Sequence, residues 1–179
     1  KTIKILCRNK YFILITLAFA VIYTSLGLTG GSRIYYAKYV LGDEMLNSTM
    51  TMFNYIPTIL TIMLIPVFTK RFGKIKALFV GFLFYAAGLV LEIAGPVNLP
   101  MIYTGLVLQG IGHAALYSCL FAIVGDVVDY SEWKDGIREE GITYSVTSFG
   151  QKIGTGLGTA ALGWILAAGH YDGTAAVQS

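Results

Sequence analysis

Five long apolar stretches, separated by short charged segments, take up most of this 179-residue sequence. A helix needs about 20 apolar residues to cross a hydrocarbon core about 30 Å thick, and inside a membrane its backbone must satisfy its own hydrogen bonds. Hydrophobic residues make up 55% of the chain, charged residues only 13%, and the mean hydropathy is +0.66, which excludes an ordinary soluble domain. The sequence therefore predicts an all-α membrane protein with five transmembrane helices, at about residues 11–31, 49–69, 77–94, 101–125 and 142–168.

The lysine and arginine residues predict how these helices are oriented. Cytoplasmic segments carry an excess of both residue types. Of the 13 lysine and arginine residues, Arg33 and Lys38 fall on one predicted side, Lys152 falls inside a span, and the others fall on the opposite side: Lys1, Lys4, Arg8, Lys10, Lys70, Arg71, Lys74, Lys76, Lys134 and Arg138. This distribution predicts a multi-pass protein of the cell membrane with its amino end in the cytoplasm.

The ends of the chain, its cysteines and its charge limit the remaining function classes. The first apolar stretch is too long for a signal peptide, so we expect a membrane anchor there. Because the chain begins without methionine and has an odd number of predicted spans, we expect it to be part of a longer protein. Cys7 and Cys119 lack disulfide or metal-ligand spacing and are interpreted as structural, and no metal site or cofactor is predicted. The net charge of +3 does not indicate a nucleic-acid partner, since the basic residues cluster at the ends of the spans.

Lys152 lies well inside the last apolar stretch, about 15 Å from its start at ~1.5 Å per residue. A lysine at the centre of a spanning helix costs ~2.5–3.5 kcal/mol, so such a residue predicts a function and an acidic partner. The aspartates and glutamates of this sequence lie near predicted helix ends, so we expect the partner carboxylates to come from a missing part of the protein. The alternative is that Lys152 extends its side chain to the membrane interface.

Two faces of the last helix differ in composition. Steps of about 100° per residue place one polar stripe, made of Ser145, Ser148, Lys152, Thr155 and Thr159, on a single side. Small residues recur every four positions on the opposite side, at Gly150, Gly154 and Gly158, as in helices that approach one another closely in membranes. We therefore expect the glycine face to pack and the lysine face to meet something polar.

The segment 126–141, predicted to be a cytoplasmic loop, is rich in charge. The simple interpretation is a solvated charged segment. The alternative is a set of ion pairs that closes the cytoplasmic side in one state of a carrier and opens in another.

The fourth predicted helix carries polar residues every four positions, at Gln109, His113 and Tyr117. A single histidine in a bundle is usually a hydrogen-bonding residue between helices. Tyr117 combines a flat apolar face with a hydroxyl group, which suits contact with a sugar ring and also suits plain packing.

The sequence GDVVDYSEWKDGIREEGITYSVTSFGQKIGTGLG resembles the glycoside-pentoside-hexuronide:cation symporter family, which consists of melibiose permease-like carriers with the major facilitator fold. The shared pattern, D-x-x-D-Y-x-E-x-K-x-G-x-R-x-E-G followed by Y-S and a lysine seven residues later, is long and irregularly spaced. The KRFGKIK segment after the second helix is also similar. The resemblance implies helices seven to eleven of a twelve-helix carrier, a partial carboxyl-terminal half.

The resemblance also implies roles for individual residues. Lys152 would lie between the sugar and the coupling cation, with Thr147, Ser148 and Gln151 facing the sugar and Tyr117 beside it. A cytoplasmic gate would be formed by five charged residues: Asp126, Asp129, Glu132, Arg138 and Glu140. The cation-binding carboxylates would lie in the missing amino-terminal half, so Na⁺ and H⁺ both stay open as the coupling cation.

The sequence thus favours cation-coupled symport of a sugar or glycoside by alternating access. One alternative is a membrane scaffold subunit that does not transport. A less favoured one is an intramembrane enzyme in which Lys152 or His113 does acid–base work, for which a second catalytic group would be needed. The identity of the sugar and the oligomeric state stay open.

Overall fold

The computed structural model describes residues 10–136, 138 and 140–171, with Asp135 described by its backbone alone. In this part of the chain there are five α-helices and no strand: α1 Lys10–Tyr35, α2 Leu46–Phe72, α3 Lys74–Ala94, α4 Leu99–Asp135 and α5 Glu140–Ala168. A short π-helix, Tyr36–Val40, extends α1. The prediction of an all-α membrane protein is confirmed.

Four of the described helices, α1 to α4, are long and apolar enough to cross a membrane. The fifth, α5, has 29 residues and is about 43 Å long at 1.5 Å per residue. Its length suffices for a span, but its glycines, threonines and Lys152 lower its hydropathy. A polar helix of this length in a membrane bundle indicates a face that meets other protein or water rather than lipid.

Two predicted loops are shorter than expected. Helix α4 continues through Asp135, so the loop predicted over 126–141 is wrong for most of its length. A helix satisfies its backbone hydrogen bonds in water as well as in a membrane, so a drop in hydropathy does not end it. Between α2 and α3 a single residue, Gly73, makes the turn with φ of 87°. That left-handed conformation favours glycine.

The chain divides into two compact units, and the first contains α1, the carboxyl end of α4 from Ile123, and α5. Its buried apolar side chains include Phe12, Ile15 and Phe19 on α1 and Leu162 on α5. Helix α5 contacts α1 along its glycines: a Cβ atom on Gly154 would collide with the carbonyl oxygen of Ala20.

Tyrosines join the far ends of α1 and α5 within this first unit. The hydroxyl groups of Tyr39 and Tyr171 lie 3.0 Å apart, and the ring of Tyr35 meets that of Tyr171 edge to face. The hydrogen bond with Tyr39, together with partial desolvation, raises the pKa of Tyr171 above its ordinary value. These contacts connect the π-helix to the residues that follow α5.

The second unit, Val40–Ala122, contains α2, α3 and most of α4. Glycines again allow close approach, since a Cβ on Gly112 would lie 2.6 Å from the carbonyl oxygen of Gly81. The Asn54 side chain donates to the carbonyl oxygen of Leu106 at 3.1 Å, a buried bond between α2 and α4. Buried polar side chains of this kind join helices inside membranes.

Candidate functional site

Helix α5 has one buried face and one exposed face. The buried residues recur at three- and four-residue spacing: Thr143, Thr147, Gly150, Gly154, Gly158 and Leu162. A Cβ on Gly150 would lie 3.2 Å from the carbonyl oxygen of Thr16, and one on Gly158 would collide with that of Thr24. The backbones of α1 and α5 are therefore in close contact along the whole glycine face.

Lys152 lies on the opposite, exposed face of α5, together with the other members of the polar stripe. It lines an open concavity of about 420 Å³ with Tyr144, Ser145, Ser148 and Phe149. Successive positions in this set are one or three residues apart, so one side of a single helix supplies the whole surface. An ammonium group, three hydroxyl groups and two aromatic rings can together bind a polar, ring-shaped ligand.

Lys152 has no ion-pair partner among the described residues 10–136, 138 and 140–171. Its nearest neighbours in the concavity are hydroxyl-bearing and aromatic side chains. The helix thus presents a cation without supplying an anion to neutralise it.

The three residues of α5 predicted to face the sugar with Lys152 differ in their exposure. Ser148 shares the concavity with Lys152. Gln151 is partly buried, and its side chain forms a hydrogen bond with Tyr23 on α1. Thr147 is 1% exposed, and its hydroxyl donates to carbonyl oxygens of its own helix, those of Thr143 at 3.1 Å and Tyr144 at 3.0 Å.

Thr147, which the resemblance placed toward the sugar, is buried in this chain while Lys152 is exposed, and its contact with sugar stays a prediction. Thr147 lies three residues before Gly150, a spacing that puts it on the glycine face of α5. Its hydroxyl is already bonded to the backbone, so within this half the side chain contributes to helix packing rather than to the exposed polar face.

Two aromatic residues of the concavity, Tyr144 and Phe149, were not predicted as site residues. Tyr144 is 41% exposed and Phe149 is 63% exposed. Their positions, eight and three residues before Lys152, place them on the lysine side of the helix. The same helical spacing that selected the serines and threonines also selects these rings, once aromatic residues are counted as possible ligand contacts.

Tyr117 belongs to the second unit, where it lies in a row of aromatic rings. Its ring stacks on that of His113 with centroids 5.4 Å apart and planes 16° from parallel. The ring of His113 in turn lies 4.9 Å from that of Tyr85 on α3. His113 is 7% exposed, and the row connects α3 to α4.

A second cluster surrounds Arg138, between α4 and α5. Its guanidinium group contacts carboxylate oxygens of Glu132 and Glu140, each at 2.5 Å, and of Asp129 at 3.4 Å. The hydrogen bonds to Glu132 and Glu140 raise the pKa of Arg138 above its ordinary value. Four of the five predicted gate residues therefore meet at one place, and Asp126 lies one turn before Asp129 on α4.

All four side chains of this cluster are about half exposed, between 48% and 68%. Exposed ion pairs are weak and are screened by salt. The cluster therefore joins the end of α4 to the start of α5 without locking them together. Within the described residues no group of three or more histidine, cysteine, aspartate or glutamate side chains is placed to hold a metal ion.

Comparison with known proteins places the chain among transport proteins. It is similar to the isoprimeverose transporter of Lactiplantibacillus pentosus, with 30% identity over 95% of the chain and 36% of that protein. It is also similar to the glucuronide carrier protein homolog of Escherichia coli K12, with 28% identity over 95% of the chain and 38% of that protein. The raffinose carrier protein of Pediococcus pentosaceus is 25% identical over 90% of the chain and 25% of its own length.

The chain thus spans little more than a third of the length of the first two relatives. These relatives are named as transporters and carriers, which supports the prediction that the chain does not belong to an enzyme. No solved structure shows a significant match. All of the sequence, residues 1–179, matches the family described as MFS/sugar transport protein, and the chain belongs to that family.

Proposed function

We propose that this chain is the carboxyl-terminal half of a membrane carrier that takes up a sugar or glycoside together with a cation. The observation that carries the proposal is the position of Lys152, on the unpacked face of α5 in a chain that matches a sugar-transport family over its whole length. Substrate binds near the midplane between two halves, and rocking of the halves exposes it to either side in turn.

The missing amino-terminal half supplies the surface that faces Lys152. A lysine left without a partner at mid-membrane depth costs ~2.5–3.5 kcal/mol or loses its proton. The described part of this chain offers no carboxylate to Lys152. Membrane carboxylates of the other half therefore form the ion pair, and these same carboxylates bind the coupling cation, Na⁺ or H⁺.

The open concavity on α5 forms one wall of the sugar site. Ser148 and Lys152 donate hydrogen bonds to sugar hydroxyl groups, and Tyr144 or Phe149 lies against the apolar face of the ring. Gln151, on the same helix, is a further candidate contact. Some relatives are named for neutral sugars, isoprimeverose and raffinose. Others are named for anionic sugars, glucuronide and sulfoquinovose.

The Arg138 cluster forms part of a cytoplasmic gate. Its contacts with Asp129, Glu132 and Glu140 join the end of α4 to the start of α5, and the charged residues around it lie on the side that the positive-inside rule assigns to the cytoplasm. Since the pairs are exposed, small changes in the surroundings can break and re-form them.

A scaffold subunit that does not transport is the competing proposal. The coding sequence of the complete gene distinguishes a scaffold from a carrier. A carrier requires a preceding segment that encodes a homologous half with acidic residues at mid-span. If no such segment precedes Lys1 in the reading frame, the partner assigned to Lys152 is wrong.

Uptake by the full-length protein in proteoliposomes tests the function. We expect a labelled panel of neutral glycosides, pentosides and hexuronides to show accumulation of at least one member, driven by an inward Na⁺ or H⁺ gradient and lost when that gradient is collapsed. Accumulation of none of them under either gradient would contradict the proposal.

Lys152→Ala tests the site. We expect coupled accumulation to fall to the background of empty vesicles, since the variant removes the only cation of the concavity in the described chain, while the protein still inserts and folds. Thr159→Ala is the matched control, because Thr159 is exposed on the same helix two turns away and its hydroxyl bonds only to Thr155 among the described contacts. Normal accumulation by Lys152→Ala would remove Lys152 from the site.

A further inference from the structure

The second unit contains an apolar cavity of about 150 Å³ between α2, α3 and α4. Leu64 and Phe68 on α2, Ala77 and Gly81 on α3, and Ala115 on α4 are among its lining residues. Leu64 is 65% exposed, so the cavity opens at the surface of this unit.

Small residues create this cavity. A Cβ on Gly81 would collide with that of Ala115, so α3 and α4 approach closely at this point of the lining. Ile65, Ala77 and Ala115 line the cavity and are buried in one apolar cluster with Cys119, against which Phe68 packs. An apolar lining of this kind accepts apolar groups.

One end of the cavity lies at the basic junction of α2 and α3. The ring of Phe68, which lines the cavity, lies 4.7 Å from that of Phe72, and the guanidinium group of Arg71 lies over Phe72 at 5.5 Å. On the other side, the Lys74 ammonium donates to the carbonyl oxygen of Ala122 on α4 at 3.1 Å. Cations therefore border this end of the cavity on both sides.

Two further features concentrate positive charge here. Lys70 and Lys76 are exposed beside Arg71 and Lys74. The amino terminus of α3, a helix of 21 residues, begins at Lys74, and the first amide groups of a helix favour an anion.

We propose that the cavity and its basic rim bind one anionic phospholipid, with part of an acyl chain in the cavity and the phosphate at the rim. The combination of an apolar cavity and a cluster of four cations at one end matches the two parts of such a lipid. The cavity runs from Phe68 to Thr61 along α2, about 10 Å at 1.5 Å per residue, which accommodates a segment of one chain. Basic clusters at the cytoplasmic ends of spanning helices bind anionic lipids in this way.

Native mass spectrometry of the full-length carrier tests the proposal. The purified protein is titrated with phosphatidylglycerol or with phosphatidylcholine of the same acyl chains, and retained lipid is counted. We expect one phosphatidylglycerol to be retained at least about tenfold more tightly than phosphatidylcholine. Equal retention of the two lipids, or displacement of the bound lipid by soluble glycerol phosphate, would overturn the proposal.

Two sets of variants separate the rim from the cavity. Lys70→Gln, Arg71→Gln and Lys76→Gln together keep Lys74, which joins α3 to α4, and we expect them to remove the preference for phosphatidylglycerol. The matched control removes three exposed basic residues elsewhere, with Lys10→Gln, Lys38→Gln and Lys134→Gln, and is expected to keep the preference. Equal loss in both triple variants would show that net charge alone attracts the lipid.

Leu64→Trp tests the cavity, because it places a large side chain at the opening. Its control is Met63→Trp, at the neighbouring position, which is 73% exposed and does not line the cavity. We expect lipid retention to fall about tenfold in Leu64→Trp and to stay unchanged in Met63→Trp. Unchanged retention in both variants would mean that the cavity is not where the acyl chain lies, or that another part of the carrier covers it, and either result rejects the site.

Discussion

Individual polar side chains determine which helices of the second unit are held together. Thr58, 5% exposed on α2, places its hydroxyl within hydrogen-bond distance of two carbonyl oxygens, that of Asn54 on its own helix at 2.8 Å and that of Gly110 on α4 at 3.0 Å. The absence of a side chain at Gly110 permits this approach, since a Cβ there would lie 3.1 Å from the Thr58 hydroxyl. The hydrocarbon core of a membrane contains no water, so a buried polar group there forms its hydrogen bonds with other groups of the protein.

Thr58→Val keeps the shape of the side chain and removes the hydroxyl. We expect a loss of stability of about 0.5–1.5 kcal/mol, as measured for hydrogen bonds between membrane helices. The measurement is the midpoint of thermal unfolding of the full-length carrier in detergent. The control is Thr51→Val, because the Thr51 hydroxyl donates to Asn47 within the same helix. Equal loss in both variants would contradict a specific bond between α2 and α4.

At the scale of helices, the pairing of α1 with α5 depends on the glycine face. Thr143, Thr147 and the three glycines are buried there, while the polar stripe with Lys152 stays exposed. Packing of backbone against backbone holds the helix in one rotation about its axis. This rotation places Lys152 on the exposed side of α5, opposite the glycines.

Gly154→Leu tests this pairing. A Cβ at this position already collides with the carbonyl oxygen of Ala20, so we expect α5 to be displaced at a cost of about 1–3 kcal/mol or more. Folded yield and thermal stability of the full-length carrier are the measurements. Gly156→Leu is the matched control, because nothing lies within 4 Å of a Cβ there. Wild-type stability of Gly154→Leu would disprove the close contact.

At the scale of the whole molecule, the Arg138 cluster is the contact that a gate would break. It connects consecutive helices through exposed pairs, so each pair shifts an equilibrium between conformations only slightly. A network of three carboxylates on one guanidinium group is nevertheless lost entirely when that group is removed.

In the proposed carrier, Arg138→Gln should change the balance between inward-open and outward-open states by a few-fold, about what exposed pairs provide. The measurement is the labelling rate of reporter cysteines on each side of the membrane. We also expect high salt to shift the wild type in the same direction as the substitution. Lys134→Gln is the control, since Lys134 lies over the Tyr130 ring instead of in the carboxylate cluster. Unchanged labelling on both sides would exclude the gate.

The sequence by itself determined the number of helices, the all-α class and the two faces of α5, because hydropathy and helical periodicity are local properties of the chain. The resemblance in residues 125–158 also led to the family that the comparison established. The sequence did not determine where α4 ends, since helical hydrogen bonds continue through Asp135 after the apolar residues stop. Only the tertiary structure decided that Thr147 is buried, that Arg138 gathers three carboxylates, and that Phe149 lines the same concavity as Lys152. These depend on which helix each face meets, and that is set by packing between segments far apart in the sequence.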